Sequence, residues 1–178
     1  MVVRVIACVL AAVFTGAAIA TATGRSTRGQ ATCASQSSAS FPGAYTSSRN
    51  LVVGPLVLVD GRVYSSPEIV RRVGGQKYPA LVAPGHTVKI ALSTRARRTN
   101  ALTYADSMHA VRRLEDGLRV VTFHACRKRK AQSRAGGRAV TFWSGFILAS
   151  KPRCVHLKIW IDGASAPRRA RIPIGRHC

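Results

Sequence analysis

Alternating apolar residues near the C-terminus constrain the fold of this chain more than any other feature of its sequence. Residues 155–161 read VHLKIWI, in which every second residue is apolar, and residues 168–174 alternate again after an Asp162-Gly163 turn signal. Since neighbouring side chains of a strand point to opposite sides of the sheet, the two segments predict a hairpin with one buried face. The apolar positions are Val155, Leu157, Ile159 and Ile161 in the first segment and Ala170, Ile172 and Ile174 in the second.

Short strand-like segments recur through residues 50–178 and are separated by Gly and Pro turn signals. Residues 86–93 alternate well, and residues 118–125 and 140–148 predict a hairpin with a long loop between them. Residues 67–73 are the one stretch that fits a helical turn. About seven or eight short strands at regular spacing are typical of a sandwich or barrel. We therefore predict an all-β fold, an antiparallel Ig-like sandwich, for residues 50–178.

The N-terminus carries a signal of a different kind. In residues 1–22 a single early arginine, Arg4, precedes an uncharged and largely apolar run. Such a pattern is typical of a cleaved signal peptide, and it is also just long enough for a retained hydrophobic helix that anchors the chain in a membrane. Both interpretations place the rest of the chain outside the cytoplasm, secreted or membrane-anchored. Residues 23–49 are rich in Ser, Thr, Gly and Ala without periodicity, so they predict a flexible linker.

Four cysteines follow the N-terminal segment: Cys33, Cys126, Cys154 and Cys178. An even number in an exported chain predicts two disulfide bonds and an oxidising compartment. In a simple meander of strands, Cys154 and Cys178 fall at the same end of the sheet, which favours Cys154–Cys178 together with Cys33–Cys126. The alternative, Cys126–Cys154 with Cys33–Cys178, stays open for a topology in which a strand crosses between sheets.

The chain carries 28 Lys and Arg against six Asp and Glu, a formal net charge of +22. A charge of this size attracts anionic partners: a polymer of the cell wall, a membrane surface or, without specificity, nucleic acid. The alternative is a structural or protein-interaction domain whose charge only reflects its composition. The oligomeric state is left open.

Catalytic motifs are missing from the sequence. There is no nucleophile elbow, zinc-protease motif or nucleotide-binding loop, and the disulfides consume the thiolates that a copper site needs. We therefore expect a non-catalytic protein with no cofactor and no metal, and a secreted hydrolase is the less favoured alternative.

Six cations lie close together between two predicted strands, in the segment RKRKAQSRAGGR. The segment contains no aromatic residue that could stack on a base, as proteins that bind single-stranded nucleic acid require. We interpret it as a solvated loop with non-specific affinity for anions. Its basic residues are Arg127, Lys128, Arg129, Lys130, Arg134 and Arg138.

A second set of residues predicts a ligand-binding face. If the strands at residues 140–148, 155–161 and 168–174 are neighbours, two tryptophans lie among cations on one exposed surface. Tryptophan stacks on sugars and on cations, and arginine pairs with phosphate or carboxylate, so the face suits an anionic glycan or a glycerophosphate polymer. The alternative is that a loop buries Trp143 and that Arg171 stacks on Trp160. The candidates are Trp143, Trp160, His156, Lys158, Arg169 and Arg171.

Three segments of the chain resemble one group of exported proteins. They are LVVGPL at residues 51–56, KYPALVAPGHTVKIAL at residues 77–92 and the stretch from FWSGF to PRCVHLKIWIDG at residues 142–163. They look like exported actinobacterial proteins, secreted or membrane-anchored, whose function is not established. The resemblance implies an extracytoplasmic β-sandwich and implies no particular activity.

Overall fold

The computed structural model describes residues 27–104, 113–115 and 117–178, so the expected signal peptide or anchor at residues 1–22 lies outside the described residues. The described part is mostly β, with fourteen strands and one α-helix. None of its helices has the length and apolar character that a membrane span requires. The elements are β1 (Arg28–Ala31), β2 (Ser40–Phe41), β3 (Leu51–Val53), β4 (Leu56–Leu58), α1 (Pro67–Val73), β5 (Gly75–Lys77), β6 (Ala80–Val82), β7 (Thr87–Leu92), β8 (Asn100–Tyr104), β9 (Val120–His124), β10 (Ser133–Ala135), β11 (Arg138–Trp143), β12 (Gly145–Ala149), β13 (Arg153–Ile161) and β14 (Arg168–Ile174).

The strands form three sheets. A five-stranded sheet has the order β1-β9-β7-β13-β14, a six-stranded sheet the order β2-β10-β11-β6-β4-β3, and a three-stranded sheet the order β5-β12-β8. Most neighbours are antiparallel, but β1 runs parallel to β9 and β2 runs parallel to β10. The all-β class is confirmed, whereas the sheets are mixed and the strands are more numerous than predicted, because several are only two or three residues long.

One large buried cluster contains residues of both larger sheets and of the three-stranded sheet. Leu56 and Leu58 of β4 belong to the same buried cluster as Ile90 of β7 and Leu157 and Ile159 of β13. These residues occupy alternate positions of their strands, as the sequence pattern predicts. The β13–β14 hairpin is therefore confirmed, with Val155 directly opposite Ile172 across it.

The predicted helical turn is also confirmed. Helix α1 begins after Ser66, whose hydroxyl accepts a hydrogen bond from the Ile69 amide, and Pro67 occupies the first turn. Gly74 ends the helix in the left-handed conformation at φ 77°, where a residue with a side chain would be strained. Only Val70 of the helix is buried in the core.

The expectation of a flexible linker at residues 23–49 is wrong for its described part, residues 27–49. Strand β1 pairs in register with β9, and Ala31 and Ala44 are almost fully buried. Residues 41–45 pack on the outer side of the six-stranded sheet, where the Phe41 and Phe142 ring centroids are 4.8 Å apart. A polar sequence can hold a fixed structure here because the sheet supplies the apolar partner and the hydrogen bonds.

The hairpin predicted from residues 118–125 and 140–148 does not form. Strand β9 lies in the five-stranded sheet between β1 and β7, whereas β11 lies in the six-stranded sheet between β10 and β6. The basic segment crosses from one sheet to the other and contains β10, which pairs with β11. Alternation of apolar residues indicates that a segment is a strand, but it does not indicate which sheet the strand joins.

Both favoured disulfides are confirmed, Cys33–Cys126 with a Cα–Cα distance of 4.9 Å and Cys154–Cys178 with 5.5 Å. The first pairing follows from the parallel β1–β9 ladder, since each of its cysteines comes shortly after one of these strands. The meander used to predict it was wrong, although the pairing was right. Two disulfides are consistent with an oxidising, extracellular environment.

Candidate functional site

The outward side of the five-stranded sheet collects five of the six predicted ligand-face residues. His156, Lys158 and Trp160 lie at alternate positions of β13, and Arg169 and Arg171 lie on the adjacent β14. Lys89 of β7, on the other side of β13, joins them. We call these six residues the outer sheet face.

Strand register arranges the outer sheet face in rows. His156 is directly opposite Arg171, Lys158 is directly opposite Arg169, and Trp160 is directly opposite Lys89. Consecutive rows are two residues apart along β13, so they are about 6.6 Å apart at the usual rise of a strand. The face is therefore a ladder of cations with a fixed spacing.

One of these rows pairs like with like. Lys158 and Arg169 are both cations at neutral pH, and the neighbouring row places the His156 imidazole opposite the Arg171 guanidinium. Directly opposite like charges destabilise a sheet, whereas opposite charges there would stabilise it. Of the ion pairs between described residues, Arg49–Asp60 and His86–Asp162, neither includes a residue of the outer sheet face. The positive charge of the face is thus not neutralised by those pairs.

Trp143 does not belong to this surface, and its prediction as a ligand-face residue was wrong. It lies on β11 of the other sheet and is fully buried. Its indole Nε1 donates a hydrogen bond of 2.9 Å to the Thr32 carbonyl, and its ring centroid is 5.3 Å from that of Phe123. Trp143 therefore supports the core and attaches the segment after β1. The alternative was right that Trp143 is buried, but Trp143 is buried in the main hydrophobic core and not by a loop over an outward face.

Trp160 is half-buried, and its partner differs from the one expected. The Lys89 ammonium lies over its ring, 4.3 Å from the centroid, where Arg171 was the expected cation. The contact is a cation–π interaction that orders both side chains and leaves the ammonium exposed. The alternation of residues 86–93 predicts that Lys89 lies on the outward side of its strand. No local sequence pattern predicts that β7 lies beside β13.

Two open depressions flank β13 on this side of the sheet. One, of about 730 Å³, is lined by the two rows that join β13 to β14 and by Arg95, which follows β7. The other, of about 550 Å³, is lined by Lys89, Trp160 and Arg97 among others. The Arg97 guanidinium is held by a hydrogen bond from its Nε to the Leu92 carbonyl, 3.2 Å long. No acidic residue lines either depression among the described residues.

The basic segment after β9 has a different structure. Lys128–Lys130 form one exposed 3-10 turn, and the Arg134 and Arg138 side chains project from the β10–β11 hairpin. The Arg138 guanidinium lies 5.9 Å from the Tyr45 ring centroid. Burial raises the pKa of Tyr45, and the positive charge of Arg138 acts against that rise. We call the exposed residues 127–130 the basic turn, and their cations are not arranged in rows across paired strands.

His86 and Asp162 form an exposed pair at the far end of the face, with His86 Nδ1 2.7 Å from Asp162 Oδ2. The other carboxylate oxygen accepts a hydrogen bond of 2.9 Å from the Thr87 amide. The Thr87 hydrogen bond, followed by that of His86, lowers the pKa of Asp162. Asp162 lies in the turn between β13 and β14 and has a left-handed φ of 49°. Because its carboxylate contacts His86 and Thr87, it fixes this turn against the start of β7.

The described residues contain no group of three His, Cys, Asp or Glu side chains placed to hold a metal ion. Comparison with models of known protein families, with curated proteins and with solved structures gives no match. The function must therefore be argued from the site itself.

Proposed function

We propose that this chain is an exported, non-catalytic module that binds anionic polymers of a cell surface through the outer sheet face. We also propose that its two larger sheets form a variant of the Ig-like sandwich. The shared core of the two sheets supports the fold proposal, and the two disulfides support export.

The observation that carries the function is the like-charged row of Lys158 and Arg169, beside the row of His156 and Arg171. Two like charges directly opposite each other cost stability, on the order of 0.2–1 kcal/mol relative to neutral residues. An anion bound between the members of a row removes that repulsion and gains charge-assisted hydrogen bonds. Repulsion between its own cations destabilises this surface, and a bound anion reduces that repulsion. Such a surface is suited to binding a polyanion.

The shape of the site favours an extended ligand over a small one. The two depressions lie on either side of β13, and both are open to solvent, rich in cations and unlike an enclosed cavity. Small-molecule sites are usually enclosed and mostly apolar. A polymer can contact several rows at once, and each further contact adds to its affinity.

The competing candidate is a structural or protein-interaction domain with a compositional charge. Exposed arginines far from the outer sheet face favour it, including Arg71 and Arg72 at the end of α1. If this candidate is right, removing any two exposed cations should weaken polyanion binding to the same extent.

Inorganic polyphosphate is a suitable probe for the test, with its binding measured by the change in anisotropy of a labelled chain at about 50 and 200 mM salt. The K158Q/R169Q variant removes one row, and R127Q/R129Q removes the same charge from the basic turn. We expect the first variant to lose about tenfold in affinity and the second about twofold, because only the row contacts phosphate as a pair. Equal losses would contradict the proposal and favour a compositional charge.

A further inference from the structure

We propose that the polymer held by the outer sheet face is a polyol phosphate, a chain of phosphodiesters joined by short diol or triol linkers. The inference rests on the proposed function and adds the chemical class of the ligand. It follows from the spacing of the rows, from the side chains within each row and from the position of Trp160.

The spacing of the rows matches a six-bond repeat. Two residues of a strand span six backbone bonds, or about 6.6 Å. Successive phosphorus atoms joined through a three-carbon linker are also about six bonds apart, so such a chain has the same extended length per charge. A strand alongside a polyol phosphate therefore presents one row to each phosphate.

Each row is suited to a phosphodiester. The guanidinium groups of Arg169 and Arg171 can each form two parallel hydrogen bonds to the two free oxygens of a phosphate. Lys158 and His156 supply a second donor from the opposite strand. Lys89 lies one row further along, on the opposite side of β13 and opposite Trp160, where it can contact a third phosphate. Three rows extend over about 13 Å of β13, enough for three consecutive phosphates.

The position of Trp160 disfavours a nucleic acid, whose backbone has the same bond repeat. Proteins that bind single strands without sequence preference stack the bases on aromatic rings. Trp160 is the only Trp, Tyr or Phe at the outward positions of these five strands in the described part of the chain, and the Lys89 ammonium covers one face of its ring. A ligand without bases does not need that ring face.

The same position disfavours an acidic glycan. In an acidic glycan with one carboxylate per sugar, each charge is separated from the next by a sugar ring, and sugar rings stack on an open aromatic face. The cation–π contact occupies that face here, and the rows are one short step apart. A flexible chain with phosphates joined by short linkers fits both the occupied ring face of Trp160 and the short spacing of the rows.

Synthetic phosphodiester oligomers test the inference directly. The oxidised full-length chain is titrated with labelled oligomers of a three-carbon diol phosphate and of a six-carbon diol phosphate that carry equal numbers of phosphates. Oligothymidylate of the same charge is the third ligand. We expect the three-carbon oligomer to bind about tenfold more tightly than the six-carbon oligomer, since only the first can occupy consecutive rows.

Salt dependence supplies an independent measurement. For contact with three phosphates, the slope of log K against log salt should be about −2, and H156Q/R171Q should reduce it to about −1.4. The control R127Q/R129Q should leave the slope unchanged. A slope that both variants change equally would overturn the assignment of the phosphates to rows.

The possible outcomes separate this inference from the proposed function. Equal affinity for both diol oligomers would overturn the inference and leave polyanion binding intact. Tighter binding of oligothymidylate than of the three-carbon oligomer would also overturn it, in favour of a single-stranded nucleic acid. Absence of binding to all three, and to polyphosphate, would contradict the proposed function itself.

Discussion

The two large sheets of this protein differ most in their outer faces. On the six-stranded sheet, residues 41–45 cover an apolar outer face that includes Leu81, Val140 and Phe142. On the five-stranded sheet the outer face carries charged residues at consecutive outward positions, and the rows around Lys158 and Arg169 line an open depression. One sheet thus buries both of its faces, and the other buries only one.

The difference predicts where stability resides and, under the proposed function, where binding resides. Covering the six-stranded sheet adds apolar burial, which favours folding by about 25 cal/mol per Å². The open sheet gains nothing comparable from its outer face, and its like-charged row reduces its stability. We therefore expect substitutions on the covered face to change the free energy of unfolding, and substitutions on the open face to change ligand affinity.

The largest expected effect is loss of the disulfide that fastens the covering segment. Cys33 and Cys126 are 93 residues apart in sequence, so C33S/C126S should lower the free energy of unfolding by about 4.6 kcal/mol through the entropy of the unfolded chain. Denaturant unfolding under non-reducing conditions measures it. For C154S/C178S, with a separation of 24, the expected loss is about 3.4 kcal/mol. A larger loss from the second pair would show that residues 27–49 contribute little to the fold.

A comparison of aromatic residues on the two outer faces should give the next largest effect. Phe142 is 8% exposed and packs on Phe41, so F142A should cost about 3 kcal/mol of stability. Trp160 is half-buried beneath Lys89, and W160A should cost less than about 1 kcal/mol. Thermal unfolding of the two variants measures the loss of stability in each. Similar losses would mean that the outer sheet face is as well packed as the covered one.

A charge reversal should separate stability from binding. In R169E the new carboxylate faces Lys158, so the like-charged pair becomes an opposite-charged pair and stability should rise by about 0.2–1 kcal/mol. Polyphosphate affinity should fall in the same variant. R134E is the matched control, because Arg134 faces Ala139 and has no cation directly opposite. A stability gain in R134E as large as in R169E would attribute the effect to net charge.

The smallest expected effect is the dependence of the protein's stability on pH in the acidic range. Because hydrogen bonds from the Thr87 amide and His86 lower the pKa of Asp162 in the folded state, the ionised carboxylate stabilises the protein above its ordinary pKa of 3.8. This contribution is lost as the pH falls through the lowered folded-state pKa. D162N, which tolerates the left-handed φ, should be less stable than the wild type at neutral pH and approach it in strong acid. Parallel thermal melts across this range give the answer, and a difference that is independent of pH would contradict it.

The sequence predicts the elements whose apolar residues face a single core. Strands β7, β13 and β14 alternate cleanly because one side of their sheet is open, and α1 has its own start and stop residues. Five of the six residues of the outer sheet face were predicted to share one surface for the same reason. The pairing of the cysteines was predicted as well, although from a wrong order of strands.

The rest of the structure could not be predicted from the sequence, because some strands are buried on both faces and because some paired strands are far apart in the chain. The last four residues of β11 are all buried, so alternation there carries no information about which side faces solvent, and Trp143 was placed on the wrong side. Residues 27–49 have too few apolar side chains to predict strands, and their partners lie about ninety residues away. Lys89 was missed as a site residue because no local pattern reports that β7 neighbours β13.

The disulfide arrangement has a consequence for the order of events during folding. Counting from Cys33, the cysteines pair consecutively, the first with the second and the third with the fourth. If such a chain is oxidised as it emerges N-terminus first, Cys33 meets Cys126 before Cys154 or Cys178 becomes accessible, and thiol exchange among these four cysteines is avoided. Strand β1 must nevertheless wait for β9, so we expect this parallel ladder between distant segments to form late in folding.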